Sequence, residues 1–159
     1  MQHEPILNVV LYEPEIPGNT GAVGRTCVAA GAKLWLVRPL GFQLSDRQMR
    51  RAGLDYWEHL DWEAVDDWEH LAGRLPRAGH TPWLLTKSAP IAYTEARFGP
   101  ADVLVFGSET RGLPPSLLAE HPDRRLSIPM RAEARSLNLS VSAGIVVYEA
   151  LRQIRSGRQ

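Results

Sequence analysis

Short, almost unbroken apolar runs recur along the chain, separated by stretches with helical spacing. ILNVVLY at Ile6–Tyr12, KLWLV at Lys33–Val37, PWLLT at Pro82–Thr86, DVLVF at Asp102–Phe106 and RLSI at Arg125–Ile128 read as strands. Near-continuous apolarity is how strands covered on both faces look. Thr20–Ala30, Asp46–Ala52, Ala64–Leu75 and Pro115–Glu120 read as helices between them. Strand alternating with helix predicts an α/β fold, a mostly parallel sheet flanked by helices. No repeat, low-complexity tract or linker interrupts the pattern, so residues 1–159 are read as a single domain.

In such sheets ligands lie beyond the carboxyl ends of the strands. Here those ends carry EPEIPGNTG, RPLGF, KSAP, GSETRGLPP and PMRAEARSLN, where glycine, proline and polar residues gather. Neither G-x-G-x-x-G nor G-x-x-x-x-G-K-[ST] occurs, so the dinucleotide and P-loop readings lack their fingerprint. Asn19 or Thr20 can cap the helix that follows, leaving its first N–H groups as an anion site. Val23, Cys27 and Ala30 give that helix a buried face, and Arg25, roughly 200° around from Val23, points away from it. In the GSETRG loop, Glu109 and Arg111 either pair with each other or face a ligand. Gly107 suits a close backbone approach and Gly112 a tight turn.

The last helix is apolar on two sides. Ala143, Val147, Ala150 and Ile154 form one stripe, and Val141, Ile145 and Tyr148 form another. One side can cover the sheet; the other needs either a second layer of the same chain or a second subunit. Ser136, Asn138 or Ser140 can cap this helix.

Composition narrows the function. Hydrophobic residues at 44% and charged residues at 23% are ordinary globular values. The 18 basic and 18 acidic residues cancel, so a nucleic-acid partner must be met by a local patch. Only Lys33 and Lys87 are lysines; the other cations are arginines, which suit bidentate contact with phosphate or carboxylate. Cys27 is the single cysteine and the histidines are scattered, so neither a disulfide nor a metal site is expected. MQHEP lacks the features of a signal peptide, and the apolar Ala143–Val147 is too short to span a bilayer. A soluble, cytoplasmic protein is expected.

Three constellations taken together resemble a known family. N-x-G-x-x-x-R at Asn19–Arg25, F-G-x-E-x-x-G at Phe106–Gly112, and I-P-M…S-L-N-L-S at Ile128–Ser140 are similar, in order and spacing, to the three motifs of the SPOUT RNA methyltransferases. LYEPEIPGNTG, RRAGLDYWEH and VVYEALRQ look like the minimal members that methylate the wobble ribose of tRNA, and the resemblance spans essentially the whole chain.

The resemblance implies a homodimer, formed through the C-terminal helix, with a trefoil knot in its carboxyl-terminal part. It also implies S-adenosylmethionine (SAM) held by three loops, Leu84–Pro90, Val105–Gly112 and Ile128–Asn138. Leu85, Gly107, Ile128 and Ser136 are the first expected cofactor contacts, with Met130 and Leu137 next. Arg25 is expected at the reacting 2′-hydroxyl, with Asn19, Glu109 and Asn138 holding it and the ribose. A guanidinium stays protonated at almost any pH. Arg25 is therefore read as stabilising an alkoxide or a neighbouring phosphate, and the proton acceptor is left open.

The expected partner is tRNA, met by Arg47, Arg50 and Arg51 and by Arg131 and Arg135 beside the cofactor loop. The chain opens on its first strand with no added RNA-binding domain, which favours the minimal tRNA enzymes. Three rivals are a 2′-O-methyltransferase with another RNA target, an inactive dimer that only binds SAM or RNA, and a serine hydrolase. The hydrolase lacks a G-x-S-x-G elbow, and no histidine follows Ser136.

Overall fold

A computed structural model describes residues 4–45, 47, 56–75 and 81–157. Among them, strands β1 (Asn8–Tyr12), β2 (Lys33–Val37), β3 (Trp62–Val65), β4 (Trp83–Leu85), β5 (Val103–Phe106) and β6 (Arg125–Leu126) form one sheet. Its order is β3-β2-β1-β5-β4-β6, and every neighbouring pair is parallel. The described helices are α1 (Pro17–Ala30), α2 (Trp68–Arg74), α3 (Pro115–Glu120) and α4 (Leu139–Ser156). The expected mostly parallel α/β sheet flanked by helices is what forms.

The period-2 alternation of each strand sorts its side chains between two cores. Leu7, Val9 and Leu11 of the first strand region, with Leu34, Leu36, Leu104 and Phe106, face Val23 and Cys27 of α1 and Ala143, Val147, Ala150 and Leu151 of α4. Val10, Trp35, Val37, Val103 and Val105 face Leu71 of α2 and Leu117 of α3 on the other side. Each such leucine contributes about 1.5–3 kcal/mol on leaving water. Asn8 is buried between the strands without cost, because Nδ2 donates to the Ala101 carbonyl at 3.0 Å and Oδ1 accepts from Trp35 Nε1 at 3.0 Å. Cys27 is buried, and burial pushes its thiol up to about 12, so it packs as a small hydrophobe rather than as a nucleophile.

Several boundaries differ from the sequence reading. The expected helix Ala64–Leu75 divides into edge strand β3 and the shorter α2. WEAV buries only Val65 fully, as an edge strand does, so no unbroken apolar run betrays it. Asp67 then ends the extended stretch by accepting from His70 N–H at 2.7 Å, a side-chain cap on α2. Helix α1 starts at Pro17 rather than Thr20, because a proline at the first helical position loses no bond. Thr20 therefore caps nothing; it is fully buried, and its Oγ1 has no partner among the described residues. The expected helix Asp46–Ala52 lies outside the described residues except for Arg47.

Helix α4 is tied to the loop before β5 through Gln153, which sits beside an ion pair. Arg152 forks onto Glu149 with bonds of 2.9 and 2.8 Å, and Gln153 Nε2 lies 3.2 Å from the same carboxylate. Gln153 also accepts from Phe98 N–H at 2.9 Å and donates to the Ala96 carbonyl at 3.0 Å. The Arg152 hydrogen bonds hold Glu149 down to about 2. A carboxyl lower in the folded than in the unfolded chain stabilises above its unfolded value, roughly 4.3. That contribution is lost as pH falls from there toward about 2. Thermal melts between those pH values should therefore show a smaller acid-induced drop for Glu149→Gln than for the wild type.

Candidate functional site

The sheet register brings the loops after four strands to one edge. Leu11 of β1 and Leu85 of β4 both pair with Phe106 of β5, and Leu85 also pairs with Leu126 of β6. The loops leaving these strands must then emerge side by side. The segments after β1, β4, β5 and β6 enclose a cavity of about 570 Å³ at the carboxyl ends. That size suits a small-molecule ligand.

All six residues expected at the cofactor lie on its wall: Leu85, Gly107, Ile128, Met130, Ser136 and Leu137. Asn19, Glu109 and Asn138 join them, and so do the cations Lys87 and Arg111. The wall pairs apolar surface with a few polar side chains and with backbone. Adenine can pack on the leucines, isoleucine and methionine, and the carboxylate of an amino-acid moiety can meet a cation. The residues present therefore fit SAM.

Gly107 is required by the fold of its loop. A Cβ there would lie 2.3 Å from the Gly112 carbonyl carbon and 2.4 Å from the Leu113 nitrogen. Gly112 closes the turn with φ +66, and its N–H reaches the Ser108 carbonyl at 3.0 Å. In the third loop Arg135 has φ 63 and ψ −55, and Ser136 N–H bonds back to the Ala134 carbonyl at 2.7 Å. This is a tight three-residue turn that an L-residue adopts only under strain, and it sets the direction of Ser136.

Among the described residues, Glu109 pairs with no arginine. Its carboxylate accepts from the N–H groups of Glu15 and Ile16 at 2.8 and 3.1 Å and from Asn19 Nδ2 at 3.4 Å. It thus sits just before the start of α1, where the helix dipole favours an anion. Arg111 instead lies 3.7 Å from Glu13. Glu15 in turn holds the loop of Glu109: its carboxylate accepts from Thr110 N–H at 3.1 Å and from Thr110 Oγ1 at 2.6 Å. Those bonds hold the Glu15 carboxyl below its usual range.

Asn19 passes the connection on. Its Oδ1 accepts from Asn138 Nδ2 at 3.1 Å, while Asn138 Oδ1 caps α4 through Ser140 N–H at 2.9 Å and Val141 N–H at 3.4 Å. Of the three candidate caps, Asn138 is the one used. One relay, Glu109–Asn19–Asn138, therefore joins the three motif loops.

Arg25 stands apart. It sits exposed on α1, away from the core as expected, and does not line the cavity of the single chain. Its guanidinium carbon lies 4.7 Å from the centre of the Tyr56 ring. Of the arginines expected at RNA, Arg47, Arg131 and Arg135 are exposed, and Arg131 lies 3.7 Å from Glu133. Arg50 and Arg51 lie outside the described residues. Sequence reasoning missed Glu15 and Tyr56. Glu15 stands in the strand-end segment EPEIPGNTG, but its tie to Thr110 spans 95 positions, which no local pattern encodes.

The described residues hold no group of three or more His, Cys, Asp and Glu side chains able to bind a metal. No described helix is long and apolar enough to cross a membrane.

Known proteins resemble this chain in sequence and fold. Residues 6–148 match the SpoU rRNA Methylase family. A tRNA (cytidine(34)-2′-O)-methyltransferase of Methylovorus glucosotrophus is 44% identical over 149 residues, covering 93% of this chain and 96% of its own. One from Yersinia pestis is 45% identical over 156 residues, covering 94% of each. A solved structure described as giving insights into 2′-OH methylation of C/U34 on tRNA superposes with a TM-score of 0.89 at 45% identity, covering 98% of this chain and 100% of that one. The SpoU methyltransferase AviRb of Streptomyces viridochromogenes, solved with AdoMet, gives 0.83 at 29% identity, covering 99% of this chain and 61% of its own. With the family match spanning all three motif loops, the chain belongs to the SpoU methylase family.

Proposed function

We propose that this chain transfers a methyl group from SAM to the ribose 2′-hydroxyl of the wobble nucleotide, cytidine or uridine 34, in tRNA anticodon loops. The observation that carries this reading is the convergence of the three motif loops on one cavity, in a chain 44% and 45% identical to two enzymes named for that activity. Leu85, Gly107, Ile128, Met130, Ser136 and Leu137 hold the cofactor, which supplies an electrophilic methyl on a sulfonium.

Transfer to the ribose 2′-oxygen would require its hydroxyl to give up a proton to a base. The protein's share is placement and charge. Well-oriented intramolecular reactions gain about 7–11 kcal/mol from placement. Arg25 stabilises the developing alkoxide or the adjacent phosphate. Glu109, Asn19 and Asn138 act as positioning residues, since their side chains are committed to one another and to the helix starts.

Arg47, Arg50, Arg51, Arg131 and Arg135 meet the RNA backbone. An unpaired wobble nucleotide can be splayed from its loop into a pocket. The protein works as a cytoplasmic homodimer through α4, whose Val141 and Tyr148 are 50% and 47% exposed despite being large and apolar. A carboxyl-terminal trefoil knot, which the family resemblance implies, is part of the same reading.

Incubation with methyl-labelled SAM and total tRNA, followed by nuclease digestion and mass spectrometry, tests the proposal. Label on a wobble ribose is expected. Label on ribosomal RNA alone would move the target, and SAM binding without transfer would leave only a binding protein.

A further inference from the structure

The arginine proposed at the accepting hydroxyl is long and exposed. Among the described residues no carboxylate is paired with it. What it does meet is an aromatic face: the Arg25 guanidinium carbon stands 4.7 Å from the Tyr56 ring centre, and Tyr56 is itself 37% exposed. We propose that Tyr56 is a positioning residue for Arg25 in methyl transfer, an inference that rests on the proposed role of Arg25 at the ribose.

The backbone that carries the ring is anchored by its neighbours. Tyr56 precedes a short 3-10 turn, Trp57–His59, that lies directly on α1. A Cβ at Gly24, the residue before Arg25, would come within 3.1 Å of Leu60 Cδ2 and 3.2 Å of Trp57 Cζ3. The missing side chain at Gly24 thus lets the turn approach the helix closely. Trp57 packs on Trp62 of β3 with ring centres 5.0 Å apart, and Leu60 is buried in the core on the α1 side of the sheet. Tyr56 therefore inherits a fixed position relative to Arg25 from both the sheet and the helix.

An aromatic partner does something that a carboxylate cannot. A carboxylate would occupy the guanidinium N–H fork and offset its charge. A ring takes only the flat face of the cation, leaving five in-plane donors and the full charge for a phosphate or a developing alkoxide. The platform reduces the freedom of the side chain without consuming what catalysis needs.

The test uses the full-length protein with labelled SAM and total tRNA, and compares Tyr56→Ala, Tyr56→Phe and Arg25→Ala. Tyr56→Ala is expected to lower kcat by roughly 2- to 5-fold, the range that exposed cation–π contacts support. KM for tRNA and the dissociation constant for SAM should stay within about twofold of wild type. Tyr56→Phe should restore kcat, because the ring face and not the hydroxyl meets Arg25. In the Arg25→Ala background, Tyr56→Ala should leave tRNA affinity unchanged, as expected for a residue that acts through another.

Wild-type kcat in Tyr56→Ala, beside an inactive Arg25→Ala, would overturn this inference alone. Equal loss in the phenylalanine variant would overturn it too, as would weakened SAM binding with a lowered melting temperature. So would a further loss of tRNA affinity in the double variant, which would make the ring a stacking surface for a nucleotide. Full activity in Arg25→Ala would instead remove the assignment of Arg25 and, with it, any need to position that residue.

Discussion

Gly107→Ala is expected to abolish SAM binding, with affinity falling about 100-fold or more, equivalent to roughly 3 kcal/mol. The added methyl would sit 2.3, 2.4 and 2.6 Å from backbone atoms of Gly112 and Leu113. None of these is the tip of a side chain that could swing aside. Ser108 and Gly112 are already bridged, and Gly112 holds a positive φ of +66. The loop can relieve the clash only by opening, which moves Glu109 off the start of α1 and breaks the relay to Asn138.

Overpacked interiors lose about 1–3 kcal/mol when side chains absorb the strain, and backbone is less forgiving. The melting temperature should therefore fall as well. Gly73→Ala is the control: nothing lies within 4 Å of its Cβ position in α2, and it should bind SAM normally. Calorimetric titration with SAM, together with thermal melts, reads both variants. Normal affinity in Gly107→Ala would remove the loop from the cofactor site.

The strands of this chain were legible because burial on both faces leaves uninterrupted apolar runs, and KLWLV became β2 residue for residue. Strand β3 was not, because an edge strand mixes Trp62, Glu63, Ala64 and Val65 in four positions, too few to separate a period of 2 from one of 3.6. The nine expected site residues on the cavity wall, eight of them in the three motifs, were legible as a resemblance, since loop chemistry is written in runs such as FGSETRG. Their relations were not. Glu109 looked like a partner for Arg111 because they are two positions apart, yet each turns to a different part of the β1–α1 loop. Glu15 and Thr110 bond across 95 positions because β1 and β5 are neighbours in the sheet, a fact of topology alone. Composition says as little about Tyr56, whose role stems from a contact with Arg25, far earlier in the chain.

Arg25→Ala separates binding from chemistry. Arg25 does not contribute to the cavity wall of the chain, so SAM affinity should stay within about twofold of wild type. Methyl transfer to tRNA should fall by about 10²–10³-fold, the loss seen when one preorganised donor to a developing oxyanion is removed. Arg25→Lys keeps the charge but replaces a planar fork by a point cation, so it should recover only part of the lost rate. Single-turnover transfer and SAM titration of each variant measure the two quantities independently. Loss of SAM binding and of transfer together would place Arg25 at the cofactor instead of the ribose. The pH dependence makes a second distinction. A guanidinium remains protonated across the accessible range. Any basic or acidic limb in the wild-type rate profile therefore reports the proton acceptor, and it should persist, at lower amplitude, in the residual activity of Arg25→Lys. A limb that disappears with the arginine would mean that this side chain takes the proton after all.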